Sequence, residues 1–519
     1  MNPLTDALER NKKKLLFSFA AVFFWGLLAH GYCFFDNSFS HDSLNEMHGA
    51  IFGNDLKITS GRIFVPLYRD LLRSDVTIPW FIGILSLVWI ALAVFLVLKL
   101  FRVESKVTAF LIAGVFTVNI SVAATAATYL HDLDCYMFSL LCAVGAVYLW
   151  KRYAKGWLLG IFLITVSLGI YQSFVFTAAA LVMMLSILEL MEGNAFREVF
   201  FRGLKAVGMV LAGSALYYVL LKLSRVLTGI QLSSGDYNSL DTMLELTPAL
   251  ILQLAAGAYA DFTSRLLNAY SSYPGILVKG ATAVLLLTSF AALGTVLCSK
   301  KIGWAEKALL ILLSVLLPLV MNLIFVLTRG ASHDLMVYSI WLVYLLALLL
   351  SDWLAKRYFG KLSKWQKPLC ALLAGMLLYG NVQFANGMYL KKDLEYDSYL
   401  SLMTRVTYRM EETEGYVPGQ TPVVFVGLPS NRNQVIPGFL EYWNVTGLTS
   451  SDTIYAPEPR RFQAYYDYVL NVPIALADGA LWLETLRRPD VAVMPQYPAK
   501  GSVVLTDGLL IVKLGDVPL

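Results

Sequence analysis

Pro79-Trp-Phe-Ile-Gly-Ile-Leu-Ser-Leu-Val-Trp-Ile-Ala-Leu-Ala-Val-Phe-Leu-Val-Leu-Lys-Leu-Phe101 is an almost unbroken apolar run, with Lys99 its one charge, close to the end. A helix rises about 1.5 Å per residue, so a stretch of this length covers a hydrocarbon core of about 30 Å. It also lacks the polar face that a helix at the surface of a water-soluble core would need. Comparable runs recur at 15–35, 107–128, 133–150, 157–173, 174–191, 204–227, 275–297, 307–327, 335–353 and 368–390. The expected fold is therefore a polytopic α-helical membrane protein with about eleven transmembrane helices. The short stretch 157–191 reads as a tight hairpin or as one kinked helix.

Composition points the same way. Of 519 residues, 57% are hydrophobic and 15% charged, and mean hydropathy is +0.62. A soluble chain carries about 25% charged residues. A soluble multidomain enzyme, a disordered chain and a disulfide scaffold are thereby excluded. The net charge of +5 reflects loop asymmetry and gives no sign of nucleic-acid binding. The N-terminal basic group Arg10 to Lys14 precedes an apolar run too long for a secretory signal, which reads as an uncleaved first helix. Basic residues concentrate in the short loops on the N-terminal side of the membrane. The opposite loops before residue 391 hold Lys57, Arg62, Arg69, Arg73, Arg265 and Arg329. This asymmetry places the N-terminus in the cytoplasm and the C-terminus outside, as expected of a multi-pass plasma-membrane protein.

The division expected is a membrane domain over 1–390, with an extracytoplasmic loop at 36–78, and a small extracytoplasmic α/β domain over 391–519. In the loop, Ile63 to Leu72 reads as an amphipathic helix at the headgroup level. Leu250 to Gly257, within the region 228–274, reads as a second interfacial piece. In the tail, 391–416 has helical periodicity, and Val423 to Gly427 and Val491 to Met494 are short apolar runs. Thr506-Asp-Gly separates the arms of an expected hairpin. The five cysteines read as buried hydrophobes, with a Cys33–Cys135 bridge left open.

Charged groups beside a bilayer ask for a reason. Asp36, His41, Asp42 and Glu46 follow the first helix, and suit general-base work, a divalent cation or a polar helix cap. His131, Asp132 and Asp134 occupy the short turn between the third and fourth spans, where Asp132 also fits a helix cap. Arg329 and His333 share one short loop, and Arg62 follows Ser60-Gly61; guanidinium groups suit phosphate. Tyr171 and Gln172 sit at the apex of 157–191, where a packing hydrogen bond competes with a ligand role. No P-loop, no His-Glu-x-x-His, no Gly-x-Ser-x-Gly and no Rossmann fingerprint is present. Any reaction outside must draw on an activated substrate already in the membrane.

Phe39-Ser-His-Asp-Ser-Leu, then Ser60-Gly-Arg62 leading through Pro66-Leu to Pro79, resembles the bacterial glucosyltransferase type II family. These serotype-conversion enzymes decorate O-antigen and related envelope polysaccharides. The Asp132/Asp134 turn, Gly169-Ile-Tyr171-Gln172-Ser173, and a terminal segment with Gly501, Val503 and Leu509 to Leu514 fit the same family. The resemblance implies a GT-C fold, catalysis on the outer face of the bacterial plasma membrane and a polyprenyl-phosphate sugar as donor. Glucose is its default sugar and an envelope polysaccharide or glycolipid its acceptor. Asp42 or Asp36 would be the catalytic base, and Arg329, with Arg62 or His333, would hold the donor phosphate. No cofactor is required by this reading, and a divalent metal is left open. The rival is a transporter or flippase of lipid-linked glycans, which would place polar residues on broken helices near the midplane.

Overall fold

The computed structural model describes residues 3–36, 43, 57–74, 76–231, 247–267, 275–357, 363–427 and 459–516. His41, Asp42 and Glu46, and most of the first loop between 37 and 56, lie outside them. The first half runs α1 (Pro3–Phe35), α2 (Val65–Leu72), α3 (Pro79–Leu100), α4 (Lys106–Thr117), α5 (Ile120–Thr128), α6 (Leu133–Arg152), α7 (Gly156–Ile170) and α8 (Phe174–Met191). Then come α9 (Phe196–Thr228), α10 (Pro248–Leu267), α11 (Ile276–Leu297), α12 (Trp304–Met321), α13 (Leu323–Leu327), α14 (Val343–Arg357) and α15 (Ser363–Glu411). Among the described residues, 10 helices are long and apolar enough to cross a membrane, and α7 is a shorter apolar helix. The stretch 157–191 is thus two helices joined at Tyr171–Ser173. The chain is a mostly helical, polytopic membrane protein.

The third span is discontinuous. Asn119 breaks it by capping α5, accepting from the Val122 amide at 3.1 Å, and its Nδ2 donates back to Val115 and Phe116. A break inside an apolar layer frees carbonyls that must find donors. His30 Nε2 meets the Thr117 carbonyl at 2.9 Å, Tyr338 Oη donates to Phe116 at 2.8 Å, and Asn381 Nδ2 donates to Val118 at 2.9 Å. A carbonyl only accepts, so His30 carries its proton on Nε2 and receives the Tyr389 hydroxyl at Nδ1, 2.7 Å away. Three helices thereby close the kink.

The first loop returns to the bundle as α2, with its polarity turned inward. Val65, Tyr68 and Arg69 are buried, whereas Leu67, Leu71 (73% exposed) and Leu72 face away. An apolar outer face on so short a helix suits a bilayer boundary. α10 extends well beyond the expected interfacial piece at 250–257, and it is not among the 10 candidate spans. Its Arg265 pairs with Asp334 and, at 2.8 Å, with Asp261, while Asn322 Nδ2 donates to Asp261 at 2.8 Å. Cys33 and Cys135 are both free, and the Cys33 thiol donates to the Ala126 carbonyl, so the bridge left open in the sequence is not formed.

α15 is one 49-residue helix, about 74 Å long at the α-helical rise. Its last turns carry Tyr399, Leu402, Met403, Val406 and Met410 into a second apolar cluster with the sheet. That sheet has the order β2-β1-β4-β3, with β1 (Pro422–Val426) parallel to β2 (Ala475–Leu476) and to β4 (Leu509–Lys513). β3 (Val503–Thr506) and β4 form the expected antiparallel hairpin, closed by Asp507 and Gly508 at positive φ. The run at Val491 is not extended, because Pro489 opens a helical turn there, Pro489–Val493.

Candidate functional site

The site is built where the returning first loop meets two turns. Ser60-Gly61-Arg62 is gripped from α7–α8 and α9. Gln172 Nε2 donates to the Ser60 carbonyl at 3.2 Å, and Tyr217 Oη donates to the Gly61 carbonyl at 2.9 Å. Gly61 has φ +76°, and a Cβ there would stand 2.6 Å from Tyr217 Oη, so glycine is required on both counts. Two residues on, the Phe64 amide donates to the Gly169 carbonyl at 2.9 Å, and a Cβ on Gly169 would overlap the Phe64 ring. The family-like Gly169-Ile-Tyr-Gln-Ser stretch is thus the dock for the segment carrying Arg62. Gln172 acts through that backbone.

The cations of this segment converge on the 129–136 turn. Asp132 is fully buried. Lys57 Nζ and Arg69 Nη2 each lie 2.6 Å from its carboxylate, Tyr136 Oη donates to it at 3.2 Å, and His131 Nε2 is 3.6 Å away. Arg62 Nη1 stands further off at 3.8 Å. Asp132 precedes α6 but makes no side-chain capping bond there, so the capping expectation does not hold; the carboxylate turns to the cations instead. Asp134 takes Arg73 Nε at 2.8 Å, and the same guanidinium donates to the His131 carbonyl. Asp132 and Asp134 are therefore the fixed centres that fold the loop down.

Arg62 differs from its neighbours. Its guanidinium lies over the rings of Tyr136 and Tyr171, 5.4 and 5.5 Å from their centroids, and those rings stack at 4.1 Å. Among the described residues it makes no hydrogen bond, its buried Nε has no partner, and its side chain remains 18% exposed. Burial works against the charge, but Tyr136 and Asp132 outweigh it and keep the group protonated above its ordinary range. Such a group is positioned and charged, with its hydrogen-bonding capacity unspent.

In the sequence Lys57, Arg69 and Arg73 stand only as basic residues of the outer loops, with no site role, and Tyr136 carries no signal. Only the spacing of Arg69 on α2 and Arg73 at its C-terminal cap, four apart, signals a shared face. Arg329 is exposed at φ +52°, and His333 is half-buried on the same loop. Neither is a partner of Asp132. The loop nonetheless approaches Arg62 indirectly, because Tyr171 Oη reaches the Leu335 carbonyl at 3.5 Å. Burial lowers the His333 pKa, with Arg265 adding to the effect and Asp334 opposing it. Asp36 ends α1, near Lys392, Asp393 and Tyr396 of α15. Among the described residues no group of three or more His, Cys, Asp or Glu is arranged to hold a metal ion.

No curated protein and no solved structure matches the chain. A family model described as Glucosyl transferase GtrII matches residues 31–350, from the end of α1 into α14 and including every residue of the Arg62 and Asp132 cluster. That span is more than half of the chain, which therefore belongs to the GtrII glucosyltransferase family.

Proposed function

We propose that this membrane glycosyltransferase moves a hexose, by default glucose, from a polyprenyl-phosphate donor to an envelope polysaccharide on the outer face of a bacterial plasma membrane. The observation that carries the reading is Arg62, a buried-edge guanidinium held on two tyrosine rings with no hydrogen bond to it among the described residues. The phosphodiester of the donor, at the headgroup level, would accept from its N–H groups in charge-assisted bonds. Arg329 and His333, the other expected phosphate ligands, stand on the loop that Tyr171 reaches through the Leu335 carbonyl. The acceptor hydroxyl oxygen attacks the anomeric carbon from the face opposite the phosphate. The bond from that carbon to the phosphate oxygen breaks, and polyprenyl phosphate leaves with the electron pair. Asp36 or Asp42 takes the hydroxyl proton. One displacement inverts the anomeric centre. The leaving group is already an anion, so no dedicated general acid is needed. A GT-C-like bundle over 1–390 would do this work, with 391–519 as an extracytoplasmic cap.

The discontinuous third span favours this over a transporter. A transporter would present the carbonyls freed at such a break to an ion, whereas here His30, Tyr338 and Asn381 occupy them. The test uses the purified full chain with synthetic polyprenyl-phosphate glucose and envelope polysaccharide, reading released polyprenyl phosphate. Arg62→Gln should raise the donor KM about tenfold to a hundredfold, the worth of one or two charged hydrogen bonds, with thermal stability nearly unchanged. An unaltered donor KM would remove Arg62 from the phosphate site. No release by the wild type would remove the whole assignment.

A further inference from the structure

Another buried ionic group joins α10 to the segment 322–335 that follows α12. All three guanidinium nitrogens of Arg265 are engaged. Nε donates to Asp261 on its own helix at 2.8 Å, Nη1 pairs with Asp334, and Nη2 donates to the Ser332 carbonyl at 3.0 Å and to Ser332 Oγ at 3.3 Å. The Arg265 and Asp334 side chains are only 9% and 5% exposed. The near end of the segment is tied to the same helix, because Asn322 Nδ2 donates to the Ala258 carbonyl at 2.9 Å and to Asp261 at 2.8 Å. α10 therefore grips residue 322 and residues 332–334, and the stretch between them carries Arg329.

That stretch is a tight turn. Arg329 and Gly330 take φ +52° and +91°, and the Gly330 amide donates to the Phe325 carbonyl at 2.8 Å. Past the turn, the chain is fastened on the side of the Arg62 group. Ser121 Oγ donates to the Asp334 carbonyl, and Tyr171 Oη, whose ring lies under Arg62, reaches the Leu335 carbonyl. Burying a guanidinium with two carboxylates adds little stability over apolar packing of similar volume. What the fork adds is direction, since its planar N–H groups fix the bearing of every acceptor they meet. We infer that Arg265 is a positioning residue, which sets the 329–334 turn so that Arg329 meets the donor phosphate. This rests on the phosphate reading given above.

The experiment uses purified full chains with polyprenyl-phosphate glucose and envelope polysaccharide. Donor KM, acceptor KM, kcat and melting temperature are measured for each variant. Arg265→Lys keeps the charge and loses the fork. It should raise the donor KM about threefold to tenfold, up to the worth of one hydrogen bond to a charged group, with the acceptor KM unchanged. Arg329→Gln should raise the donor KM by a similar factor. In the double variant the two factors should not multiply, because the second change removes a contact already displaced. Asp334→Asn, near-isosteric and leaving the Asp261 pair in place, should act in the same direction with a smaller factor, and it replaces Arg265→Lys should the lysine variant not fold. Factors that multiply, or a donor KM unchanged by either substitution, overturn the inference. So does an acceptor KM raised as much as the donor KM, or a lowered melting temperature with both KM values kept. An Arg329→Gln donor KM equal to wild type also overturns it, while Arg62→Gln continues to report on the phosphate site. No release of polyprenyl phosphate by the wild type would refute the transferase reading itself, a result distinct from all of these.

Discussion

Replacing Asp132 by Asn removes one negative charge and almost no volume, which makes it the sharpest probe of how the first loop is held. Two cations touch the carboxylate at 2.6 Å, on segments 75 and 63 residues away in the chain, and Tyr136 adds a third bond at 3.2 Å. Two unit charges about 4 Å apart interact by about 4 kcal/mol at an effective dielectric of about 20. Breaking one buried ion pair from one side typically costs about 3–5 kcal/mol. Asp132→Asn should therefore cost at least about 3 kcal/mol, expressed first as release of the 57–73 segment from the 129–136 turn. Limited proteolysis of detergent-solubilised protein should show faster cleavage in that segment, and the melting temperature should drop. Arg62→Gln should do neither, because Arg62 lies 3.8 Å from the carboxylate and its guanidinium makes no hydrogen bond to the described residues. If the Asn variant melts with wild type and resists protease equally, Asp132 does not hold the loop and the account of the site is wrong.

Three further outcomes are expected. Gly169→Ala should abolish transfer while leaving the protein inserted and helical by circular dichroism, since the new methyl group displaces Phe64 and with it the Arg62 turn; wild-type turnover would refute that docking. His30→Phe leaves the Thr117 carbonyl without its donor and should destabilise by about 1–3 kcal/mol in denaturant titration, whereas His30→Gln should recover part of the loss. The lowered His333 pKa means that the folded state takes up this proton only below the unfolded range near ~6.5. Stability is then present above that range and lost as pH falls below it, because the unfolded chain binds the proton first. His333→Asn should lose less melting temperature than wild type between about pH 6.5 and pH 5, and identical slopes would count against the assignment.

The membrane helices were legible because apolar length is a one-dimensional signal, and the hairpin at 503–513 because Asp507-Gly508 dictates its turn. Arg62, Asp132, Tyr171 and Gln172 were visible as polar residues in a chain that can ill accommodate them. Their roles were not. Asp132 reads as a helix cap until Lys57 and Arg69 arrive from more than sixty residues away. Nothing in the periodicity of 63–72 says that its arginine turns inward while its leucines turn out. Lys392 was indistinguishable in sequence from Lys391, one residue before it, because only the packing of α15 against α1 leaves Lys391 partly buried beside Glu395 and Lys392 more deeply buried.

The unbroken course of α15 has a mechanical consequence. Within 363–411 its only proline is Pro368, near the start, so the stretch joining the apolar bundle to the four-stranded sheet has no built-in joint. A rod of this kind transmits tilt and rotation instead of absorbing them. Tension on a long polymer held at the sheet would be felt where Asp393 accepts from Tyr32 of α1, as a change in angle between two rods, with no slack in between.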